Sequence, residues 1–195
     1  MKQGKILIVS GPSGVGKGTV LKELMKKYPN MRFSVSATTR APRPGEVDGV
    51  HYRFMTKAAF EELIARDALL EYASYADNYY GTPAEPVEEG IAGGEIVILE
   101  IEVQGALQVM SRRKDAVSVF IAPPSYEILR QRLTNRGDTD PEVAEKRLKI
   151  AIEECSHARE YGYIVVNDTV EQAVKEVEAI LLAESCRSEY HPIQL

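Results

Sequence analysis

Gly11-Pro12-Ser13-Gly14-Val15-Gly16-Lys17-Gly18-Thr19 carries the clearest chemistry in the chain. An apolar run, Ile6-Leu7-Ile8-Val9, precedes it, and a helical pattern from Thr19 to Lys27 follows, with Val20, Leu21 and Leu24 on one face. Strand, glycine-rich turn and helix is the context in which such a pattern cradles phosphate. Glycines permit a tight loop whose N–H groups converge on an anion, and the helix N-terminus adds partial positive charge. Lys17 brings a full charge to the β- and γ-phosphates of a nucleotide. The usual pattern places Ser or Thr directly after the lysine. Here Gly18 stands there and Thr19 comes one place later, so the hydroxyl that meets a magnesium ion is left open.

The elements that must position this loop follow from periodicity. Phe33-Ser34-Val35-Ser36 alternates like a strand, and His51–Met55 reads as another. Between them lies a turn-rich stretch with Arg40 and Arg43. Thr56 caps a helix reaching Arg66. Leu69–Tyr80 is aromatic-rich and irregular. Residues 34–88 thus form an α+β block inserted in an alternating βα chain. A helix from Pro83 ends at Gly93-Gly94, and Ile96–Leu99 is a strand apolar enough for a buried parallel sheet, ending in Glu100-Ile101-Glu102-Val103-Gln104-Gly105. Val117–Ala122 is the next strand, and Ser125 caps a helix carrying Arg130, Arg132 and Arg136. Asp140 and Pro141 open a long helix, Tyr163–Val166 is the last strand, and Thr169-Val170-Glu171-Gln172 is a capping box for a helix ending near Cys186. The sum is an α/β fold with three layers, a parallel sheet between helices.

Composition narrows the function. The chain has 195 residues, 44% apolar and 27% charged, an ordinary balance for one domain. A net charge of −5 argues against a nucleic acid polymer as partner. Cys155 and Cys186 suggest no disulfide framework, and His51, His157 and His191 no metal cluster. No signal peptide or membrane-spanning run is visible, so a cytoplasmic location is expected.

Several blocks, taken in order, are similar to the guanylate kinase family. They are the phosphate loop, Phe33-Ser34-Val35-Ser36-Ala37-Thr38-Thr39-Arg40-Ala41-Pro42-Arg43, Tyr79-Tyr80-Gly81-Thr82, Gln104-Gly105, Phe120–Pro124 and Val166-Asn167-Asp168. The resemblance covers nearly the whole chain. It implies transfer of a phosphoryl group between ATP and GMP with Mg²⁺, a core (1–33, 89–125 and 149–195), a GMP-binding insertion (34–88) and a lid (126–148). It implies that Arg40, Arg43, Tyr52 and Tyr80 hold the GMP phosphate and that Ser36, Glu71 and Thr82 surround guanine. Arg132, Arg136 and Arg147 match lid and hinge arginines, and Asn167 a residue beside adenosine. Thr19, Glu100 and Glu102 are the magnesium candidates, the carboxylates through water. The family pattern often has Asp at 100 and 102, which leaves the geometry of that contact open. Lys17, Arg43, Arg136 and Arg147 would share the transferring charge.

Elementary chemistry supports the phosphate assignments, since the planar guanidinium fork suits bidentate contacts to phosphate. Glu71 by itself reads as a solvated charge after Leu69-Leu70, and Arg130 as solvent-facing. Tyr52 and Tyr80 could equally be packing residues. The alternatives are a kinase for another monophosphate and an inactive guanylate-kinase-like interaction module. A monomer or a homodimer would suit either.

Overall fold

The computed structural model describes residues 4–134 and 141–190. The first elements are β1 (Lys5–Ser10), α1 (Lys17–Lys27), β2 (Met31–Phe33), β3 (Ala37–Thr38), β4 (Arg53–Phe54) and α2 (Lys57–Ala65). Then come β5 (Leu69–Tyr75), β6 (Asn78–Pro83), α3 (Ala84–Ala92), β7 (Ile96–Glu100), α4 (Val103–Arg112) and β8 (Val117–Ala122). The chain closes with α5 (Tyr126–Thr134), α6 (Pro141–Ser156), β9 (Tyr163–Val166) and α7 (Val170–Ser185). Five strands form one sheet in the order β2-β7-β1-β8-β9, and four form a second in the order β4-β3-β6-β5. The β2–β7 and β8–β9 pairs are parallel. Their apolar runs are buried along nearly their whole length in β1, β7 and β8, which is why these strands lack an in–out alternation. The expected α/β fold with a parallel sheet is therefore present.

The chain divides into two compact units, Met1–Ile8 with Asn30–Ala116 and Val9–Pro29 with Val117–Leu195. In the first, Ala37, Phe60 and Leu69 make a buried cluster against which Met55, Leu63, Ile64 and Tyr79 pack. Phe60 stacks on Tyr79 with centroids 5.3 Å apart. The Thr56 hydroxyl accepts from the Ala59 N–H at 3.2 Å, which fixes the start of α2.

Three expectations change in this unit. The alternation at 33–36 is not one strand: Phe33 ends its pairing opposite Ile98, and Ala37 begins in the second sheet. Residues 34–36 carry the chain from one sheet to the other. The second strand at 51–55 shrinks to Arg53–Phe54. The stretch 69–80, read as irregular from the sequence, is an antiparallel hairpin, β5–β6, with one register shift between Leu69 and Glu71. Its turn residues Ala76 and Asp77 have φ of 47° and 63°, the signs that a type I′ turn demands. Ala-Asp lacks the Asn-Gly signature, so the turn leaves no mark in the sequence. Helix α4, with Val103, Ala106 and Val109 buried at a three-residue spacing, was also not anticipated.

In the second unit, Leu129, Leu133, Leu148 and Ala151 join α5 to α6. Ser125 caps α5 by accepting from the Ile128 N–H at 3.2 Å. Thr169 caps α7 by accepting from the Gln172 N–H at 3.3 Å, and the Gln172 Nε2 donates one turn on to Glu176 at 3.0 Å. The expected cap Asp140 lies outside the described residues. Among the described residues, no helix is long and apolar enough to cross a membrane.

The Phe60 cluster sets a stability test. Phe60→Ala should cost ~3–5 kcal/mol, the scale for deleting a buried aromatic ring. Urea unfolding followed by circular dichroism checks it, and a loss below ~1 kcal/mol would contradict the role of this ring.

Candidate active site

The phosphate loop belongs to the second unit and is shaped by backbone constraint. Gly11 has φ of 148°, and a Cβ there would collide with the Ile121 carbonyl oxygen of β8. Gly14 and Gly16 lie at φ 83° and 95°, in the region that disfavours side chains, and Gly16 is the N-cap of α1. The N–H groups of Thr19 and Val20 reach the Gly16 carbonyl, both at 3.1 Å, closing the first turn. Lys17 opens the helix, and its Nζ donates to the carbonyls of Gly11 and, at 3.3 Å, Pro12. Among the described residues, and apart from its neighbours and its own helix backbone, no heavy atom lies within 4 Å of a Cβ built on Gly18, so no steric demand is seen at this departure. Thr19 is exposed in the same first turn.

Three more predicted residues gather on the loop. Asn167 is 3% exposed, and its Nδ2 donates to the Val15 carbonyl at 2.7 Å. A Cβ on Gly16 would stand 2.7 Å from that same nitrogen, so glycine at 16 is what lets Asn167 approach. The Asn167 Oδ1 is buried with no hydrogen-bond partner among the described residues. Arg132 donates to the carbonyls of Asn167 at 3.1 Å and of Val15 and Asp168 at 3.4 Å. Arg147 donates to the Ser13 hydroxyl at 2.7 Å. Arg130 is exposed, as anticipated. Arg136 lies outside the described residues.

In the first unit, Arg40 forks onto Glu46, with Nη1–Oε2 at 3.0 Å and Nη2–Oε1 at 2.9 Å. Its guanidinium lies 5.5 Å from the Tyr52 ring centroid and 5.8 Å from that of Phe54. Tyr52 and Tyr80 meet edge to face at 6.2 Å. The Arg40 hydrogen bonds, then the Arg43 backbone N–H at 2.7 Å, hold the Glu46 carboxyl at about 2, well below the usual range. Glu46 and the Tyr80 hydroxyl raise Arg40 in turn. The Arg43 side chain is exposed. A fork that holds a carboxylate has the geometry to hold phosphate.

Glu71 is the largest departure from a reading of the residues alone. It is 6% exposed, not solvated. It sits opposite Thr82 in the β5–β6 ladder, and the fully buried Thr82 hydroxyl donates to its Oε1 at 2.6 Å. Burial raises its pKa, the Thr82 contacts oppose this, and the nearby Glu102 charge adds to the rise. A Cβ on Gly105 would stand 2.6 Å from the Glu71 Oε2, so a side chain there would push the carboxylate from its present position. Ser36 is half-buried just before β3, with its carbonyl accepting from the Arg53 N–H at 2.8 Å. Gly105 and its helix were absent from the predicted set, although Gln104-Gly105 and the apolar spacing of 103, 106 and 109 were visible.

Glu100 ends β7, Glu102 is the N-cap of α4, and both side chains are exposed. Among the described residues, no three His, Cys, Asp or Glu side chains converge into a metal site. Hydroxyl and carboxylate oxygens without a protein cage fit Mg²⁺, which keeps several waters and takes phosphate oxygens. The exposed carboxylate oxygens of Glu100 and Glu102 are donors of the kind this ion takes, directly or through water.

Strand, glycine loop and helix, with a lysine at the helix start, define a P-loop nucleotide-binding α/β protein. The family model described as guanylate kinase matches residues 3–184. The guanylate kinase of Desulfitobacterium hafniense is 50% identical over 189 residues, 97% of this chain and 94% of that one. That of Gloeobacter violaceus is 54% identical over 180 residues, 92% and 88% of the two chains. The crystal structure of guanylate kinase from Anaplasma phagocytophilum superposes with a TM-score of 0.73 at 34% identity, covering 96% of this chain and 89% of that one. The chain belongs to the guanylate kinase family.

The buried carboxylate predicts a pH signature in the ligand-free protein. Because the native pKa of Glu71 is raised, the folded state keeps this proton to higher pH than the unfolded state does. Its contribution to stability is present at low pH and is lost as pH rises from the ordinary glutamate value through the native one. Glu71→Gln removes that loss, so the variant should gain stability relative to wild type as pH increases from 4 to 8. Thermal unfolding of both proteins across this range checks it, and a relative stability that falls with pH would contradict the burial argument.

Proposed function

We propose that this chain catalyses reversible transfer of the γ-phosphoryl group of ATP to GMP, giving ADP and GDP, within cytoplasmic purine nucleotide metabolism. The observation that carries this reading is the buried Glu71 carboxylate beside Thr82, in a chain of the guanylate kinase family. An ionised carboxylate only accepts hydrogen bonds. Guanine offers it two donors, N1–H and the exocyclic amine, whereas adenine turns an acceptor toward the same oxygens. A site built for donors rejects an analogue lacking them by roughly 10⁴-fold.

The remaining roles follow from charge and reach. Residues 11–19 enclose the ATP phosphates, with Arg132 and Asn167 holding the loop and bordering the adenosine. Arg40, Arg43, Tyr52 and Tyr80 bind the phosphate of GMP, and Ser36 and Thr82 support Glu71 at the base. Phosphoryl transfer needs in-line alignment and neutralised charge more than a strong base. Lys17, Arg43, Arg136 and Arg147 supply that neutralisation at the equatorial oxygens. Thr19, Glu100 and Glu102 would hold Mg²⁺, the carboxylates through water, and the bound ion offsets charge on the β- and γ-phosphates. Segments 34–88 and 126–148 act as the GMP-binding insertion and the lid, excluding water that would otherwise compete as acceptor.

A coupled ADP-release assay with AMP, GMP, CMP, UMP and dTMP tests the reaction. GMP should dominate, and equal turnover of AMP would overturn the base assignment. Lys17→Ala should lower kcat by at least ~10²-fold, judged from losses of single transition-state donors, with its circular dichroism spectrum unchanged. More than a tenth of wild-type kcat in the folded variant would remove Lys17 from the mechanism.

A further inference from the structure

Strand β5 is an edge of the four-stranded sheet, and its outer side faces α4. An edge strand presents unpaired backbone groups, which proteins cover or blunt. Here the cover is a side chain. The Gln108 Nε2 donates to the Tyr72 carbonyl at 3.0 Å, and its Oε1 accepts from the Tyr72 N–H at 3.3 Å. The primary amide thus takes the place of a neighbouring strand's peptide group for the residue after Glu71.

The same helix face touches β5 at two further places. Arg112 donates to the Leu69 carbonyl at 3.2 Å, and Gly105 lies against the Glu71 carboxylate. Positions 105, 108 and 112 are spaced i, i+3, i+7, one stripe of a helix. The strand they grip is irregular. Leu69 pairs with Pro83 and Glu71 with Thr82, so Leu70 is an extra residue, a bulge directly before Glu71. Bulges re-aim the side chains next to them. Arg112 holds the carbonyl on one side of this bulge and Gln108 the peptide on the other.

We propose that Gln108 is a positioning residue for base recognition: by fixing both backbone groups of Tyr72 it holds the bulge that aims Glu71, while Gly105 supplies the room. This rests on the reading that Glu71 recognises guanine. Gln108 acts through Glu71 and does not touch the substrate. Its loss therefore affects GMP, leaves ATP alone, and matters only while the Glu71 carboxylate is present.

Steady-state kinetics of Gln108→Met, Glu71→Gln and the double variant, with GMP, AMP and ATP varied in turn, test this. Gln108→Met should lower kcat/KM for GMP roughly tenfold, mainly through KM, and narrow the preference for GMP over AMP, with KM for ATP unchanged. In the Glu71→Gln background the same change should cost less than about twofold, since coupled residues are not additive. An equal loss in both backgrounds, or a parallel rise in KM for ATP, would make Gln108 a general packing residue and overturn the proposal. If Glu71→Gln alone leaves GMP kinetics within a few-fold of wild type, the guanine reading fails and this proposal with it. If Gln108→Met does not fold, Gly105→Ala replaces it. That variant should lose GMP turnover and recover part of it when combined with the shorter Glu71→Asp, and no recovery would overturn the proposal.

Discussion

The path of the backbone through residues 11–16 is the constraint on which the second unit depends. The loop leaves β1 so close to β8 that Gly11 has no space for a side chain, then turns twice through left-handed conformations at Gly14 and Gly16. That path ends at Gly16, the left-handed N-cap of α1, and places Lys17 at the first position of the helix. Its neighbours are chosen to match. Asn167 approaches the loop because Gly16 has no Cβ, and the Val15 carbonyl accepts from both Asn167 and Arg132. A phosphate cradle must be rigid before its ligand arrives, and here the rigidity comes from polar side chains capping loop carbonyls.

Lys17, Arg147 and Arg40 each have internal acceptors. Lys17 rests on loop carbonyls, Arg147 on the Ser13 hydroxyl, and Arg40 on Glu46. Carbonyls and a hydroxyl are neutral acceptors, which hold a cation less strongly than an anion does. Arg40 is different, because its partner is a carboxylate held ionised to about pH 2. A phosphate reaching Arg40 meets the Glu46 charge as well, and the exposed Arg43 next to it is the charge available to offset that repulsion.

Glu71 shows the opposite economy. Burial and the Glu102 charge disfavour the charged form of this carboxylate, and the hydroxyl and backbone contacts of Thr82 oppose them only in part, so its pKa is raised. A desolvated acceptor discriminates between donor and acceptor edges more strongly than an exposed one, and this is the property on which the proposed role of Glu71 rests. The first unit commits a bulge, a glycine and a helix face to holding it.

The sequence by itself determined the phosphate loop, the apolar strands of the parallel sheet, and the caps at Thr56, Ser125 and Thr169, because each depends on residues close together in the chain. A glycine pattern, an uninterrupted run such as Ile96–Leu99 and a hydroxyl ahead of a helix carry their physics locally. The family blocks pointed to candidate residues for each nucleotide, but not to how they are held. Only the tertiary structure decided that residues 69–83 are a hairpin, since an Ala-Asp turn borrows its left-handed conformation from the pairing of strands around it. It likewise decided that Glu71 is buried, because its burial comes from Thr82, eleven positions on, and from Gly105 of a helix further along. The periodicity of β5 contains neither neighbour. Environments built from distant segments exist only once the chain has folded.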